Sequence, residues 1–196
     1  TGAESFAQWQ AVSGLPTDSS EPAKIQAAVT QHVHQLMDQD IKATGLKTLQ
    51  GLIWKSGFES GEMEAHVYPD VLPALQQWKQ AGLDLRIYSS GSIAAQKLFF
   101  GHSLEGNMLQ LFSEHYDTTS GSKKEADSYQ RITTDTNVAA GEILFLSDVP
   151  AELDAAASAG LSTALCQRPE NPSTEDPCQH AVFSTFDQVQ ATLTSP

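Results

Sequence analysis

Apolar residues recur at helical spacing alone in the first third of the chain, and from about residue 70 they alternate between helical and strand spacing. Ile25, Ala28, Val29, Val33 and Leu36 share one face of a 3.6-residue repeat behind a first-turn Pro22, which predicts a helix. His32 shares that face and His34 does not; both read as packed or solvated histidines, since neither has a partner ligand four residues away. A second helix is predicted from Thr44 to Phe58, with Leu46, Leu49, Ile53 and Trp54 on one side and Gly57 and Gly61 as breakers. Asp70 stands where a cap belongs, before a helix with Val71, Leu72, Leu75 and Trp78 inward, Pro73 in its first turn and Gly82 as its stop. Leu83 to Tyr88 alternates toward a β-branched and aromatic end, the mark of a strand, and Ile93 to Phe100 reads as helix up to Gly101. A short helix is expected over Leu104 to Phe112 and another over Glu125 to Asp135. Ile143 to Leu146 is a continuous apolar run of the kind buried on both faces of a parallel sheet. A helix from Ala151 to Ala159 stopped by Gly160, a strand over Leu161 to Cys166, a proline- and acid-rich surface loop over 167–180 and a short strand at Ala181 to Phe183 follow.

These elements predict two parts. Residues 5–10 read as the tail of a helix, residues 13–20 as a linker, and nothing before Ala65 resembles a strand, so residues 1–66 are expected to form a small helical unit. From Asp70 onward helix and strand alternate, which predicts a doubly wound α/β sheet over 67–196 with right-handed crossovers. Ligands of such sheets sit at the carboxyl ends of the strands.

Composition narrows the partners. Acidic residues outnumber basic ones by 24 to 11 in 196 residues, which argues against a nucleic-acid surface and against binding to anionic lipid. No apolar run approaches the roughly 20 residues that span a bilayer, and no export leader heads the chain. A cytoplasmic, monomeric protein is the default, with a Cys166 to Cys178 disulfide as a minor alternative. Any anionic substrate must therefore be held by local chemistry.

Three places offer that chemistry. Ser89-Ser90-Gly91-Ser92 joins a strand to a helix start, where orphan N–H groups and hydroxyls either cap the helix or receive a phosphate. Lys123 lies on a Gly-Ser loop entering a helix, as one of a solvated lysine pair or as the cation beside that phosphate. Asp148 ends the apolar strand, as a helix cap or as a ligand for Mg²⁺, which prefers oxygen donors. Gln50, a polar amide on an apolar helical stripe, needs a partner within the helical layer or faces a ligand cavity.

The order of these segments resembles a known family. Tyr88 to Ser92, Ala95 to Leu98, Phe100-Gly101, Glu105-Gly106, Tyr116 to Thr118, Gly121 to Lys123, Ser128-Tyr129 and Ile143 to Asp148, with Leu49 to Gly51, Trp54 and Tyr68 to Asp70 upstream, look like the enolase-phosphatases of methionine salvage, within the haloacid dehalogenase (HAD) superfamily. The resemblance implies a Rossmann-like core with a helical cap and Mg²⁺-dependent conversion of 2,3-diketo-5-methylthiopentyl-1-phosphate to an acireductone. It assigns Ser89 and Ser90 to substrate phosphate, Lys123 to phosphate and nucleophile, Asp148 to Mg²⁺, Glu152 to a supporting acid behind the metal ligand, and Gln50 and Trp54 to closure of the cap over the diketone. Another HAD-type small-molecule phosphatase and a shortened, inactive phosphometabolite-binding domain are the alternatives. The chain departs from the family in one respect: no Asp-x-Glu-Gly-Thr motif, which carries the family's nucleophile, occurs in it.

In the HAD core the nucleophile strand lies between the strands ending at Ser89 and Asp148, so these two should not pair directly. The 196 residues alone should lack full phosphatase activity, which a turnover assay of the purified chain measures; full activity would refute the missing-strand reading.

Overall fold

The computed structural model describes residues 22–39, 41, 43–171 and 180–193; the expected helix tail at 5–10, the linker at 13–20 and Cys178 lie outside the described residues. The chain divides into two units, Thr1–Ile53 and Trp54–Pro196. In the first, α1 spans Pro22–Asp38. Its partly shielded residues are Ile25, Ala28, Val29, His32, Val33 and Leu36, the face expected from the spacing, and none is fully buried. Helix α2 spans Thr44–Ser60 and contains the division between the units. Gly57 does not break it. A Cβ there would run into the Met63 side chain, and the Met63 N–H donates to the Gly57 carbonyl at 2.9 Å, so this glycine serves a close approach. The stop is Gly61, at φ +75°.

The second unit carries α3 (Val71–Gln80), β1 (Arg86–Tyr88), α4 (Ile93–Gly101), β2 (Glu114–Tyr116), α5 (Ala126–Thr136), β3 (Leu144–Ser147), α6 (Pro150–Ser158), β4 (Ser162–Cys166), β5 (Ala181–Phe183) and α7 (Phe186–Leu193). The expected helix over Leu104 to Phe112 reduces to a single 3₁₀ turn, Leu109–Leu111, because Ser103 and Gly106 form a bridge and turn first. Strand β2 and helix α7 were not expected. Every pairing is parallel: β1 with β2, and β3 with β4 and β4 with β5. Among the described residues β1 and β3 are not hydrogen-bonded neighbours, as the missing-strand reading requires.

The two sheet pieces nevertheless share their packing layers. Leu144 and Leu146 of β3 and Leu85 beside β1 pack with Ala74, Leu75 and Trp78 of α3 and Val189 of α7. Ile143, Phe145 and Tyr88 point the other way, onto Tyr129 of α5 and Ala155 and Ala156 of α6. The period-two alternation of each strand therefore feeds two helical layers. No helix among the described residues is long and apolar enough to cross a membrane.

Asp70 does not cap α3 with its side chain. Its carboxylate is taken instead by Arg168, which forks onto it at 3.0 and 2.8 Å, and by the Phe186 N–H at 2.7 Å. Arg168 also donates to the Ser184 carbonyl and lies 4.4 Å from the centre of the Tyr68 ring. A bidentate carboxylate partner outcompetes single backbone N–H groups. The clamp closes β4, β5 and α7 onto the start of α3.

Burial would raise the Asp70 carboxyl, but the bonds from Arg168 and from the Phe186 N–H more than reverse it, leaving it below the usual range. A carboxyl lowered on folding contributes stability that is complete above its unfolded pKa of about 3.9 and disappears as pH falls through the lower folded value. Arg168→Met should strand the buried carboxylate at a cost of about 3–5 kcal/mol at neutral pH. Denaturant unfolding at pH 7 and pH 3 should show the deficit of the variant narrowing in acid.

Candidate active site

The loop after β1 is tied down residue by residue. The Ser89 N–H continues the ladder to the Tyr116 carbonyl at 3.1 Å, and the Ser89 hydroxyl accepts the Gly91 N–H at 3.2 Å. Ser92 is the cap of α4, its hydroxyl accepting from the Ala95 N–H at 3.2 Å. Asp117, at the end of β2, reaches across to accept the Ile93 N–H at 3.2 Å, while its other oxygen accepts the Thr119 N–H and hydroxyl at 2.9 and 2.6 Å. The helix start is thus less open than the sequence suggests, since side chains already take part of it. Ser89 is half-buried and Ser90 is exposed at its mouth.

Lys123 stands on a loop in which each carbonyl from Ser120 to Lys123 has a side-chain donor. Arg131 donates to Ser120 at 3.0 Å, Tyr88 to Gly121 at 3.0 Å, Ser128 to Ser122 at 2.7 Å and Tyr129 to Lys123 at 2.7 Å. Burial raises both tyrosine hydroxyls above their ordinary pKa, so they remain donors at neutral pH. Held this way, the Lys123 ammonium meets the Glu152 carboxylate at 2.6 Å, with the two side chains 19% and 11% exposed. The same Glu152 oxygen accepts the Ser147 hydroxyl at 2.8 Å, and Ser147 in turn accepts the Val149 N–H at 3.1 Å. Glu152 thereby joins the lysine loop to the end of β3.

Asp148 follows Ser147. It does not cap α6, whose cap position is Val149. One Asp148 oxygen, Oδ2, accepts the Asn171 amide at 2.8 Å, and Asn171 is itself fixed by taking the Arg168 N–H at 2.7 Å. The carboxylate opens on a cavity of about 260 Å³ walled by Tyr68, Leu146 and Phe186, with Asn171 and Cys166 beside it. Cys166 is a free thiol, and burial pushes its pKa up to about 11. Among the described residues no three acidic, histidine or cysteine side chains gather as a ready-made metal cage. An exposed carboxylate with one oxygen engaged and the other clear suits one ligand of a hard, largely hydrated ion, which takes one or two carboxylates and leaves the rest to water and phosphate.

Ser147, bonded to Glu152, links the Lys123–Glu152 pair to the backbone that presents Asp148, and Tyr88 connects the Ser89 loop to the Lys123 loop. Trp54, on α2, is 38% exposed, and Gln50 is half-buried on the same helix within the other unit. Ser147, Asn171 and Asp117 escaped the sequence reading, and so did the pinning roles of Tyr88, Ser128 and Tyr129. Serine and tyrosine next to the marked positions were the only signal.

Parallel strands with helices on both faces, carrying a serine loop, a lysine and an aspartate after their carboxyl ends, mark the HAD type of hydrolase. A family model described as haloacid dehalogenase-like hydrolase matches residues 5–160, and the chain belongs to that family. Within it the relatives are enolase-phosphatases E1. The protein of that name from Alcanivorax borkumensis is 51% identical over 153 residues, 78% of this chain and 66% of its own length. That from Drosophila willistoni is 51% identical over 81% of this chain and 65% of its own, and that from Citrobacter koseri 46% over 89% and 75%. The chain thus spans about two thirds to three quarters of the length of these relatives. Among solved structures, the UTR4 protein of Saccharomyces cerevisiae superposes with a TM-score of 0.71 at 36% identity, over 81% of this chain and 72% of that one. The L-2-haloacid dehalogenase RSc1362, at 21% identity and a TM-score of 0.57 over 66% of this chain and 57% of its own, shares the fold.

Gly121 is the residue on which the lysine loop turns, at φ +125°, and a Cβ there would strike the Ser128 hydroxyl and the Arg131 guanidinium. Gly121→Ala should lower stability by about 2–3 kcal/mol. Gly141→Ala, with open space around the new methyl, should stay within about 0.5 kcal/mol of the parent. Denaturant midpoints of the two variants make the comparison.

Proposed function

We propose that this chain carries the phosphate- and metal-binding part of an enolase-phosphatase acting on 2,3-diketo-5-methylthiopentyl-1-phosphate to give an acireductone. The observation that carries the reading is the Lys123–Glu152 pair joined by Ser147 to the end of β3 that presents Asp148. Identity near 50% to enolase-phosphatases supports the choice of substrate within the HAD class.

In this reading the Ser89 and Ser90 hydroxyls hold phosphate oxygens. The Lys123 ammonium, steered by Glu152, supplies the fixed positive charge beside them. A bound phosphate gains most from a cation that need not reorganise when charge moves during the reaction. Mg²⁺ would be held by the free oxygen of Asp148, with Asn171 keeping the other oxygen engaged. When bound, the ion would neutralise charge on a phosphate oxygen. Tyr68, Leu146 and Phe186 wall the cavity on which Asp148 opens. By resemblance to the family, Gln50 and Trp54 would belong to its helical cap, over residues 1–66. The attacking carboxylate comes from outside these residues, since phosphoryl transfer in this family needs a nucleophile that none of the assigned positions supplies. The substrate is a small phosphorylated metabolite of the cytoplasm, and the enzyme works as a monomer.

The complete enzyme should prefer the diketone phosphate to a panel of sugar phosphates, and a marked preference for sugar phosphates would replace this reading with another phosphatase. Asp148→Asn should abolish Mg²⁺-dependent turnover and leave the circular dichroism spectrum unchanged. Lys123→Ala should weaken phosphate binding and slow the chemical step by roughly 10²–10³-fold, the usual cost of removing one charge-stabilising donor. Parent-like activity in either variant would contradict the assignment.

A further inference from the structure

Gln96 is a buried amide, 5% exposed on the inner face of α4, and the proposed chemistry does not use it. Its hydrogen bonds close completely. The Nε2 group donates to the Gly91 carbonyl at 2.8 Å and to the Tyr116 carbonyl at 2.8 Å, spending both of its hydrogens. Its oxygen lies 3.0 Å from Nδ1 of His115, itself only 6% exposed. The amide cannot be flipped, because its oxygen would then face two carbonyl oxygens. The oxygen must therefore accept, and His115 is the Nδ1–H tautomer.

The bond to Gly91 has a geometric effect on the loop. A peptide unit is planar and trans, so its C=O and N–H point in opposite directions. The unit joining Gly91 to Ser92 has its carbonyl drawn inward to Gln96, and its N–H, that of Ser92, consequently points away from the interior. Around it the Gly91 N–H is spent on Ser89, the Ile93 N–H on Asp117 and the Ala95 N–H on Ser92, while the Ser90 and Ala94 N–H groups have no partner among the described residues. The Ser92 N–H has no partner among the described residues.

We propose that Gln96 is a positioning residue for phosphate binding: by holding the Gly91 carbonyl against β2, it aims the Ser92 N–H at the anion gripped by the Ser89–Ser90 loop. The inference rests on the phosphate-loop reading above. Neutral His115 completes it by occupying the amide oxygen, and burial lowers the pKa of that imidazole, which keeps it neutral.

The test uses the complete enzyme and inorganic phosphate. In ¹⁵N–¹H spectra, phosphate should shift the Ser92 amide of the parent strongly downfield. Gln96→Met, of similar shape but with no donor, should lose that shift and bind phosphate about tenfold more weakly, the equivalent of one good hydrogen bond. Its affinity for Mg²⁺ in the absence of phosphate should be unchanged. A lowered melting temperature with parent-like phosphate affinity would reduce Gln96 to a structural residue and overturn the proposal. If the variant does not fold, the parent spectrum decides, and a Ser92 amide unmoved at saturating phosphate overturns it. Ser89→Ala separates the two levels. Weaker phosphate binding in Ser89→Ala with none in Gln96→Met refutes the Gln96 inference alone, and no effect in either refutes the phosphate loop itself.

Discussion

A lysine ammonium and a glutamate carboxylate at 2.6 Å, both largely shielded from water, form the contact that organises the carboxyl edge of this fold. An ion pair in such a place is costly to desolvate and is sustained only when its remaining hydrogen-bonding capacity is met. Here Ser147 supplies the second donor to Glu152, and the loop beneath Lys123 is fixed at four successive carbonyls. The pair spans 29 residues of sequence, from the entrance of α5 to the first turn of α6. It therefore couples the position of the lysine to that of β3, and through Ser147 to the backbone that presents Asp148.

The parallel sheet makes this coupling possible. Strands that run in one direction deliver all their carboxyl ends to one edge, and each end is followed by a loop free to carry polar groups. The same geometry demands helices on both faces, and the strands alternate accordingly, with Leu144 and Leu146 toward α3 and α7 and Phe145 toward α5 and α6. The apolar residues thus fix where the strands lie, and the chemistry is left to short segments of serine, glycine, lysine and aspartate.

Elements whose identity comes from apolar periodicity were legible in the sequence, β3 and α3 most clearly. Strand β2 was hidden because its residues, Glu114, His115 and Tyr116, carry no run of aliphatic side chains; its burial is achieved by pairing His115 with Gln96. Among the described side chains of helix α7, Phe186 and Val189 face inward, too little for a period to emerge. Ser89, Lys123 and Asp148 were legible because each follows a punctuated strand end or opens a helix. Their supports were not, because a serine or tyrosine that donates to one carbonyl is indistinguishable in sequence from one that faces water. Asp70 illustrates the same limit, since cap position was readable and the preference of its carboxylate for Arg168, 98 residues away, was not.

The division of the sheet bears on how the protein comes apart. Among the described residues, β1–β2 and β3–β4–β5 share two helical layers without sharing a backbone hydrogen bond. Packing resists separation in every direction weakly and in none strongly, whereas a hydrogen-bonded ladder resists it along one axis. Each half can then open while the other stays closed, so amide protons of β1 and β2 and those of β3 to β5 would exchange with solvent as two populations with two opening free energies. The serine loop belongs to one population and Asp148 to the other, and the two parts of the candidate site would melt as separate units.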